Sequence, residues 1–227
     1  MKKENVQIQR FENGKVINVT DETATEFRFE VKTWGRESLW ISCTPENLEE
    51  LVIGLLFSNG CIDCAEQVER VDVSFEKSEI HAILGEKHPT AKEGTAESCS
   101  EPDIAELFAR ADEIFGHPGE LFADTGCAHC CTMVVDDRVI CSYEDIGRHN
   151  ALDKVIGRGL KQKVDFSRAV IFTTGRISGD YLKKIIGAGI SWVVSRSAVT
   201  GEAVRLAREN NIHMFGFVRG GNGNIYN

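Results

Sequence analysis

Three apolar segments in the C-terminal half each lead into an arginine next to glycine or serine. Backbone N–H groups at a helix start attract anions, glycine lets a ligand approach the backbone, and arginine offers a cationic fork. We therefore expect a pocket for an anionic, nucleotide-like ligand, although ordinary strand-to-helix turns with exposed arginines would share the pattern. The residues concerned are Gly175, Arg176 and Ser178, then Ser195, Arg196 and Ser197, then Arg219, Gly220 and Gly221.

A second group of polar residues lies in segment 144–154, around Gly147. Arg148, His149 and Asn150 follow the glycine, so that acid, base, imidazole and amide groups meet at one predicted strand-to-helix junction. Five polar groups of different chemistry around one glycine favour a site. The alternative is a solvated helix start with i,i+4 pairs such as Asn150 with Lys154.

The eight cysteines are read as reduced thiols. Cys127, Cys130 and Cys131 resemble half of a zinc site, but a second CxxC or a spaced histidine pair is missing, and we assign no metal ligands. Cys99 lies in a polar stretch, where a thiol is reachable for sulfur exchange. The default for most of the others is small apolar filler: Cys43, Cys61, Cys64 and Cys141.

Apolar strands that alternate with helices predict an α/β unit in the C-terminal half. The strands are predicted at 169–174, 192–195 and 213–218, as a parallel sheet covered on both faces. Ligands collect at the carboxyl ends of such strands, where the arginines lie. The chain lacks a Walker A sequence and a GxGxxG fingerprint, which argues against an ATPase or a nicotinamide dehydrogenase.

The N-terminal part is predicted to be rich in β-strands. Asn13-Gly14 is a hairpin turn signal, and Thr44 with Pro45 predicts a capped helix start. Segment 85–103 has no periodic apolar positions and is predicted to be a junction. We therefore divide the chain into a β-rich domain with one helix, 1–95, and an α/β domain, 96–227.

Composition limits the classes of function. A formal net charge of −9 argues against general nucleic-acid binding, although a small anion senses only local donors. The N-terminus has no apolar signal region, and the apolar runs are too short to cross a bilayer. We therefore expect a cytoplasmic protein that associates with neither nucleic acid nor membrane.

Taken together, these segments resemble the FdhD family of sulfur-carrier proteins required for formate dehydrogenase activity. The resemblance extends from about residue 36 to the C-terminus, and the combination of segments is more specific than any one of them. The matching segments are Cys43–Ser58, Thr125–His129, Glu144–Lys154, Thr174–Ser178, Val194–Ala198 and Gly216–Gly220.

The resemblance implies a small N-terminal β-rich domain and a C-terminal domain of cytidine-deaminase-like topology without the deaminase zinc. It implies a homodimeric sulfurtransferase that takes persulfide sulfur from a cysteine desulfurase. The sulfur then passes to a molybdenum bis(molybdopterin guanine dinucleotide) cofactor before insertion into the formate dehydrogenase catalytic subunit. GDP or GMP would mimic this ligand. The implied cofactor-binding stretch maps onto Phe217, Val218, Arg219, Gly220, Gly221 and Asn222.

The chain departs from the family pattern in its cysteines. The family carries a CGxCG-like pair in the loop between the domains, whereas here Cys99 stands alone, before Ser100-Glu101-Pro102. Cys127, Cys130 and Cys131 occupy places where the family usually has small residues. Three hypotheses follow: a persulfide relay through Cys99, alone or with these thiols; a non-enzymatic cofactor chaperone; and a zinc-binding regulator.

Overall fold

A computed structural model describes residues 2–85 and 103–226. Its strands and helices are numbered here in chain order. The strands are β1 (Lys3–Glu12), β2 (Lys15–Ala24), β3 (Phe27–Thr33), β4 (Leu39–Cys43), β5 (Val68–Ser74), β6 (Glu79–Leu84), β7 (His129–Val135), β8 (Arg138–Asp145), β9 (Ala169–Thr173), β10 (Trp192–Ser195), β11 (His213–Arg219) and β12 (Asn222–Ile225). The helices are α1 (Leu48–Ser58), α2 (Ile104–Gly116), α3 (Glu120–Thr125), α4 (Arg148–Lys161), α5 (Gly179–Gly187) and α6 (Gly201–Glu209).

The N-terminal part contains an exposed hairpin and a four-stranded sheet. Strands β1 and β2 pair in antiparallel fashion around Asn13 and Gly14, whose positive φ angles of 50° and 78° fit the predicted tight turn. The sheet has the order β4-β3-β6-β5, and only β3 and β6 run parallel. Helix α1 covers this sheet, because its apolar residues pack with Phe29 and Ile80 in one buried cluster.

The predicted start of helix α1 is wrong by one turn. The helix begins at Leu48, after Asn47 in the left-handed region at φ 54°. Thr44 does not cap it. Its hydroxyl instead donates to the carboxylate of Asp145, which lies 101 residues further along the chain.

The C-terminal sheet has six strands in the order β12-β11-β10-β9-β7-β8. Strands β9, β10 and β11 are parallel neighbours, as predicted. The sheet as a whole is mixed, because β7 is antiparallel to both β9 and β8, and β12 is antiparallel to β11. Asp136 and Asp137 form the β7–β8 turn, and Gly220 and Gly221 form the β11–β12 turn, all four with positive φ angles.

Helices cover both faces of this sheet, which explains why its central strands are apolar throughout. Helices α4, α5 and α6 pack on one face, with Leu152 and Leu182 fully buried. Helix α2 packs on the other, where its Phe108 meets Phe215 edge to face. None of the helices in the described ranges combines the length and apolar character that a membrane crossing needs.

The two parts of the chain meet where α1 crosses α4. The backbones touch, because glycine occupies both sides of the crossing. A Cβ atom at Gly54 would lie 1.9 Å from the carbonyl oxygen of Asp153, and one at Gly157 would lie 2.0 Å from that of Glu50. The proposed domain boundary in 85–103 falls almost entirely outside the described residues and stays a prediction.

Candidate functional site

The loops that follow β9 and β10 run side by side at one edge of the C-terminal sheet. The N–H of Ile177 donates to the carbonyl of Ala198, and the N–H of Thr200 donates to the carbonyl of Ile177. Each loop ends in a hydroxyl that caps the next helix, Ser178 for α5 and Thr200 for α6. The predicted residues at the ends of β9 and β10 therefore do come together.

The serines of these loops hold the backbone in place. Ser195 Oγ is buried, donates to the Gly175 carbonyl at 2.8 Å and accepts from the Ser197 N–H at 2.9 Å. Ser197 Oγ donates to the Thr174 carbonyl at 2.7 Å. Both serine hydroxyls are therefore already hydrogen-bonded to the protein. The exposed charged side chains of the two loops are Arg176 and Arg196.

Arg148, at the start of α4, extends over the first of these loops. A Cβ atom at Gly175 would lie 2.7 Å from the Cβ of Arg148, so the glycine accommodates the arginine side chain. The expected approach of a ligand to this backbone stays a prediction. The Nε of Arg148 is buried and has no hydrogen-bond partner. Burial, followed by the charges of Arg148 and Arg176, lowers the pKa of His129, which places both cations near this imidazole.

A cavity of about 510 Å³ opens on the α2 face of the sheet, and of the three arginines it is lined by Arg196, while its lining residue His129 lies near Arg148 and Arg176. Its wall is mainly apolar, and Arg196 donates from Nη1 to the carbonyl oxygen of Phe115 at 3.3 Å. The large apolar lining residues are Ile114, Phe115, Phe122, Ile146 and Phe172, and the polar lining includes His117, His129, Cys127, Cys130, Thr132, Thr174 and Arg196. An apolar cavity with a cationic rim is suited to a ring system that carries an anionic group.

The three clustered cysteines differ in environment. Cys127 is exposed at the cavity, whereas Cys130 is partly buried and contacts Ser142 Oγ at 3.2 Å. Cys131 is fully buried, 3.7 Å from the Tyr181 hydroxyl. Burial raises the pKa of Cys130 and of Cys131. Within the described ranges, no three His, Cys, Asp or Glu side chains form a cluster that could hold a metal. Cys99 lies outside the described residues.

In segment 144–154, Arg148 lies at the edge formed by the loops after β9 and β10. Other residues of the segment contact the N-terminal part of the chain. Asn150 turns away, and its Nδ2 donates to the Ser42 carbonyl at 2.6 Å. The ring of His149 packs edge-on against Tyr181, and its pKa is lowered to about 4, mainly by burial. Lys154 is buried and paired with Asp145, so the alternative of a solvated helix start is wrong.

The stretch 217–222 contains the end of β11 and the turn to β12. The N–H of Phe217, at φ 57°, donates to the Ser197 carbonyl, which joins this stretch to the loop edge. Val218 is a core residue, while Arg219 and Asn222 are exposed.

The amides of the diglycine turn are already hydrogen-bonded. Those of Gly220 and Gly221 donate to Asp112 of α2, at 2.8 and 2.6 Å. Asp112 was not singled out in the sequence, because nothing in an amphipathic helix signals such a contact.

The chain is similar to one protein family over nearly its whole length. The model of the FdhD/NarQ family matches residues 24–112 and 91–227. "Sulfur carrier protein FdhD" of Bacillus licheniformis is 32% identical over 97% of this chain and 93% of its own length. The Bacillus subtilis protein of that name is 33% identical over 96% and 93%.

A solved structure, described as that of a formate dehydrogenase accessory protein from Desulfotalea psychrophila, superposes with a TM-score of 0.84 at 25% identity. The superposition covers 100% of this chain and 97% of that one. By the family match and by identity over nearly its whole length, the chain belongs to the FdhD/NarQ family.

Proposed function

We propose that this protein is a sulfur carrier required for formate dehydrogenase activity. It takes persulfide sulfur from a cysteine desulfurase and transfers it to a molybdenum bis(molybdopterin guanine dinucleotide) cofactor. The cofactor is its cargo, passed on to the formate dehydrogenase catalytic subunit. The proposal includes a cytoplasmic homodimer and a cytidine-deaminase-like topology without zinc. The names of its relatives support the sulfur and formate dehydrogenase parts.

The observation that carries the cofactor part is the cationic edge beside the apolar cavity. Arg148, Arg176 and Arg196 provide guanidinium groups for a pyrophosphate, and Arg148 has an unpartnered buried Nε. The cavity of about 510 Å³ has room for an aromatic ring system. These residues fit a guanine dinucleotide, with phosphates at the arginines and a ring against the apolar wall.

The sulfur step is a thiol–persulfide exchange. The Cys99 thiolate attacks the outer sulfur of the donor persulfide, the donor thiolate leaves, and the sulfur becomes the terminal atom of a Cys99 persulfide. Cys127 is the exposed thiol of the cavity and is the described cysteine best placed to share this role. Cys130 and Cys131 are poorer candidates, because burial raises their pKa and disfavours the reactive thiolate.

Calorimetric titration with GDP tests the cofactor site. We expect Arg148→Gln and Arg176→Gln each to weaken binding by about tenfold, the order of magnitude for a lost charge-assisted bond. Arg205→Gln is the matched control, since Arg205 is an exposed α6 arginine already paired with Glu202 and Glu209. Absence of GDP binding in the wild-type protein, or equal affinities for all variants, would overturn the assignment.

Mass spectrometry after incubation with a cysteine desulfurase and cysteine tests the sulfur part. We expect the wild-type protein to gain the mass of one sulfur atom and Cys99→Ser to lose this gain. Retention by Cys99→Ser together with loss in Cys127→Ser would move the acceptor to Cys127. If no cysteine gains sulfur while GDP still binds, the protein is the non-enzymatic cofactor chaperone. Regulation by zinc through Cys127, Cys130 and Cys131 lacks support, since the described residues hold no such cluster.

A further inference from the structure

A buried polar network connects the N-terminal part of the chain to the start of α4. Thr44, just after β4, donates from its hydroxyl to Asp145 Oδ2 at 2.9 Å and from its N–H to the same oxygen at 3.2 Å. The Nζ of Lys154 donates to that hydroxyl and to Asp145 Oδ2, both at 2.7 Å. All three side chains are at most 1% exposed, so water cannot replace a missing partner.

The other oxygen of the same carboxylate fixes the residues next to Arg148. Asp145 Oδ1 accepts from the N–H of Gly147 at 2.9 Å and from Nδ2 of Asn150 at 2.9 Å. Gly147 is the N-cap of α4, and Arg148 is the first helical residue. The orientation of this carboxylate therefore determines where α4 begins and from where Arg148 extends over Gly175.

We propose that Thr44 is a positioning residue for Arg148, so that the N-terminal part of the chain sets the geometry of the anion site in the C-terminal part. Its hydroxyl holds Asp145 Oδ2 and Lys154 together, which leaves Oδ1 free to hold Gly147 and Asn150. Without the hydroxyl, Asp145 Oδ2 keeps the Thr44 N–H and the Lys154 ammonium, and the ammonium keeps Asp145 and the Glu144 carbonyl at 3.1 Å. Each group thus loses one of three partners within a closed space, and the carboxylate is held less firmly in its orientation. The inference rests on the proposed anion site.

A comparable contact in the same interface provides the control. Ser58, at the end of α1, donates to Asp153 Oδ1 at 2.9 Å, and Asp153 is buried and paired with Lys184. Ser58→Ala thus also removes one hydroxyl from a buried carboxylate between α1 and α4. Asp153, however, lies more than one turn into α4 and makes no contact with Gly147, so the start of the helix keeps its bonds.

The test is a double-mutant cycle read by GDP affinity, with thermal unfolding as a measure of stability. We expect Thr44→Val to weaken GDP binding at least about threefold, which is the size of one modest hydrogen-bond effect. Thr44→Ser keeps the hydroxyl and should bind as the wild-type protein does, and so should Ser58→Ala. In the Arg148→Gln background the effect of Thr44→Val should vanish, because Thr44 acts through Arg148.

Each outcome bears on the proposal. If Thr44→Val and Ser58→Ala lower the melting temperature alike but both bind GDP normally, Thr44 is only structural and the inference is overturned. An undiminished effect of Thr44→Val in the Arg148→Gln background would also overturn it. If the wild-type protein does not bind GDP at all, the anion site itself is refuted, which is a separate result from failure of the coupling.

Discussion

Because glycines allow α1 and α4 to touch, we expect Gly157→Ala, which adds a single methyl group, to lower the free energy of unfolding substantially. An added Cβ would lie 2.0 Å from the Glu50 carbonyl oxygen and 2.9 Å from the backbone nitrogen of Gly54. Both neighbours are main-chain atoms of α1, so no rotamer change relieves the overlap. The two helices must move apart instead, by roughly 1.5 Å at this point if ordinary contact distances are to be restored.

The expected magnitude follows from two opposing effects. Alanine is favoured over glycine inside a helix by about 1 kcal/mol, which on its own would stabilise the protein. Overpacking of a tight contact costs typically about 1–3 kcal/mol and sometimes more. Because the overlap is with backbone and is severe, the second effect exceeds the first. We expect Gly157→Ala to lower the free energy of unfolding by about 2 kcal/mol.

Urea unfolding followed by circular dichroism measures this change. Gly187→Ala is the matched control, since Gly187 is also helical and an added Cβ there meets nothing within 4 Å. That variant should be as stable as the wild-type protein or more stable by up to about 1 kcal/mol. If Gly157→Ala behaves like Gly187→Ala, the close approach of α1 and α4 is refuted.

Three further predictions concern single side chains. Lys154→Met leaves the buried Asp145 carboxylate without its cation, and we expect urea unfolding to show a loss of about 3–5 kcal/mol; a loss under about 1 kcal/mol would contradict the pairing. The folded pKa of His149 is about 4, below the 6.5 of the unfolded chain, so the unfolded state binds an extra proton between these values. Stability should therefore fall as pH drops from 6.5 to 4, and thermal unfolding of His149→Gln should show a weaker dependence. Asp112→Asn removes one acceptor from the diglycine turn, and nuclear magnetic resonance should show faster hydrogen exchange at Gly220 and Gly221; unchanged rates would argue against the contact.

The sequence predicted those parts of the fold that depend on local pattern. The apolar runs at 169–174 and 192–195 became parallel neighbours β9 and β10 because both faces of their sheet are buried. Asn13-Gly14 became a hairpin turn because both residues accept positive φ. The short helix α3 was missed, since its six residues offer too little periodicity.

Local pattern could not predict features that depend on distant partners. Thr44 has the right type and spacing for a helix cap, yet its hydroxyl forms hydrogen bonds with the buried pair of Asp145 and Lys154. Both residues lie about 100 positions away, so the local sequence does not reveal this contact. The contact of Gly175 with Arg148 could not be predicted for the same reason, because the two residues are 27 positions apart in the sequence. Cys99, the proposed sulfur acceptor, lies outside the described ranges.

The pairing of the loops after β9 and β10 has a kinetic consequence. Main-chain bonds between Ile177 and the segment 198–200, together with the serine contacts, tie together the backbones of the two loops that would hold the proposed nucleotide. Little conformational entropy is then lost on binding, apart from that of the arginine side chains. Association should be a single step without a slow rearrangement, so that nucleotides of different affinity would differ chiefly in how long they remain bound.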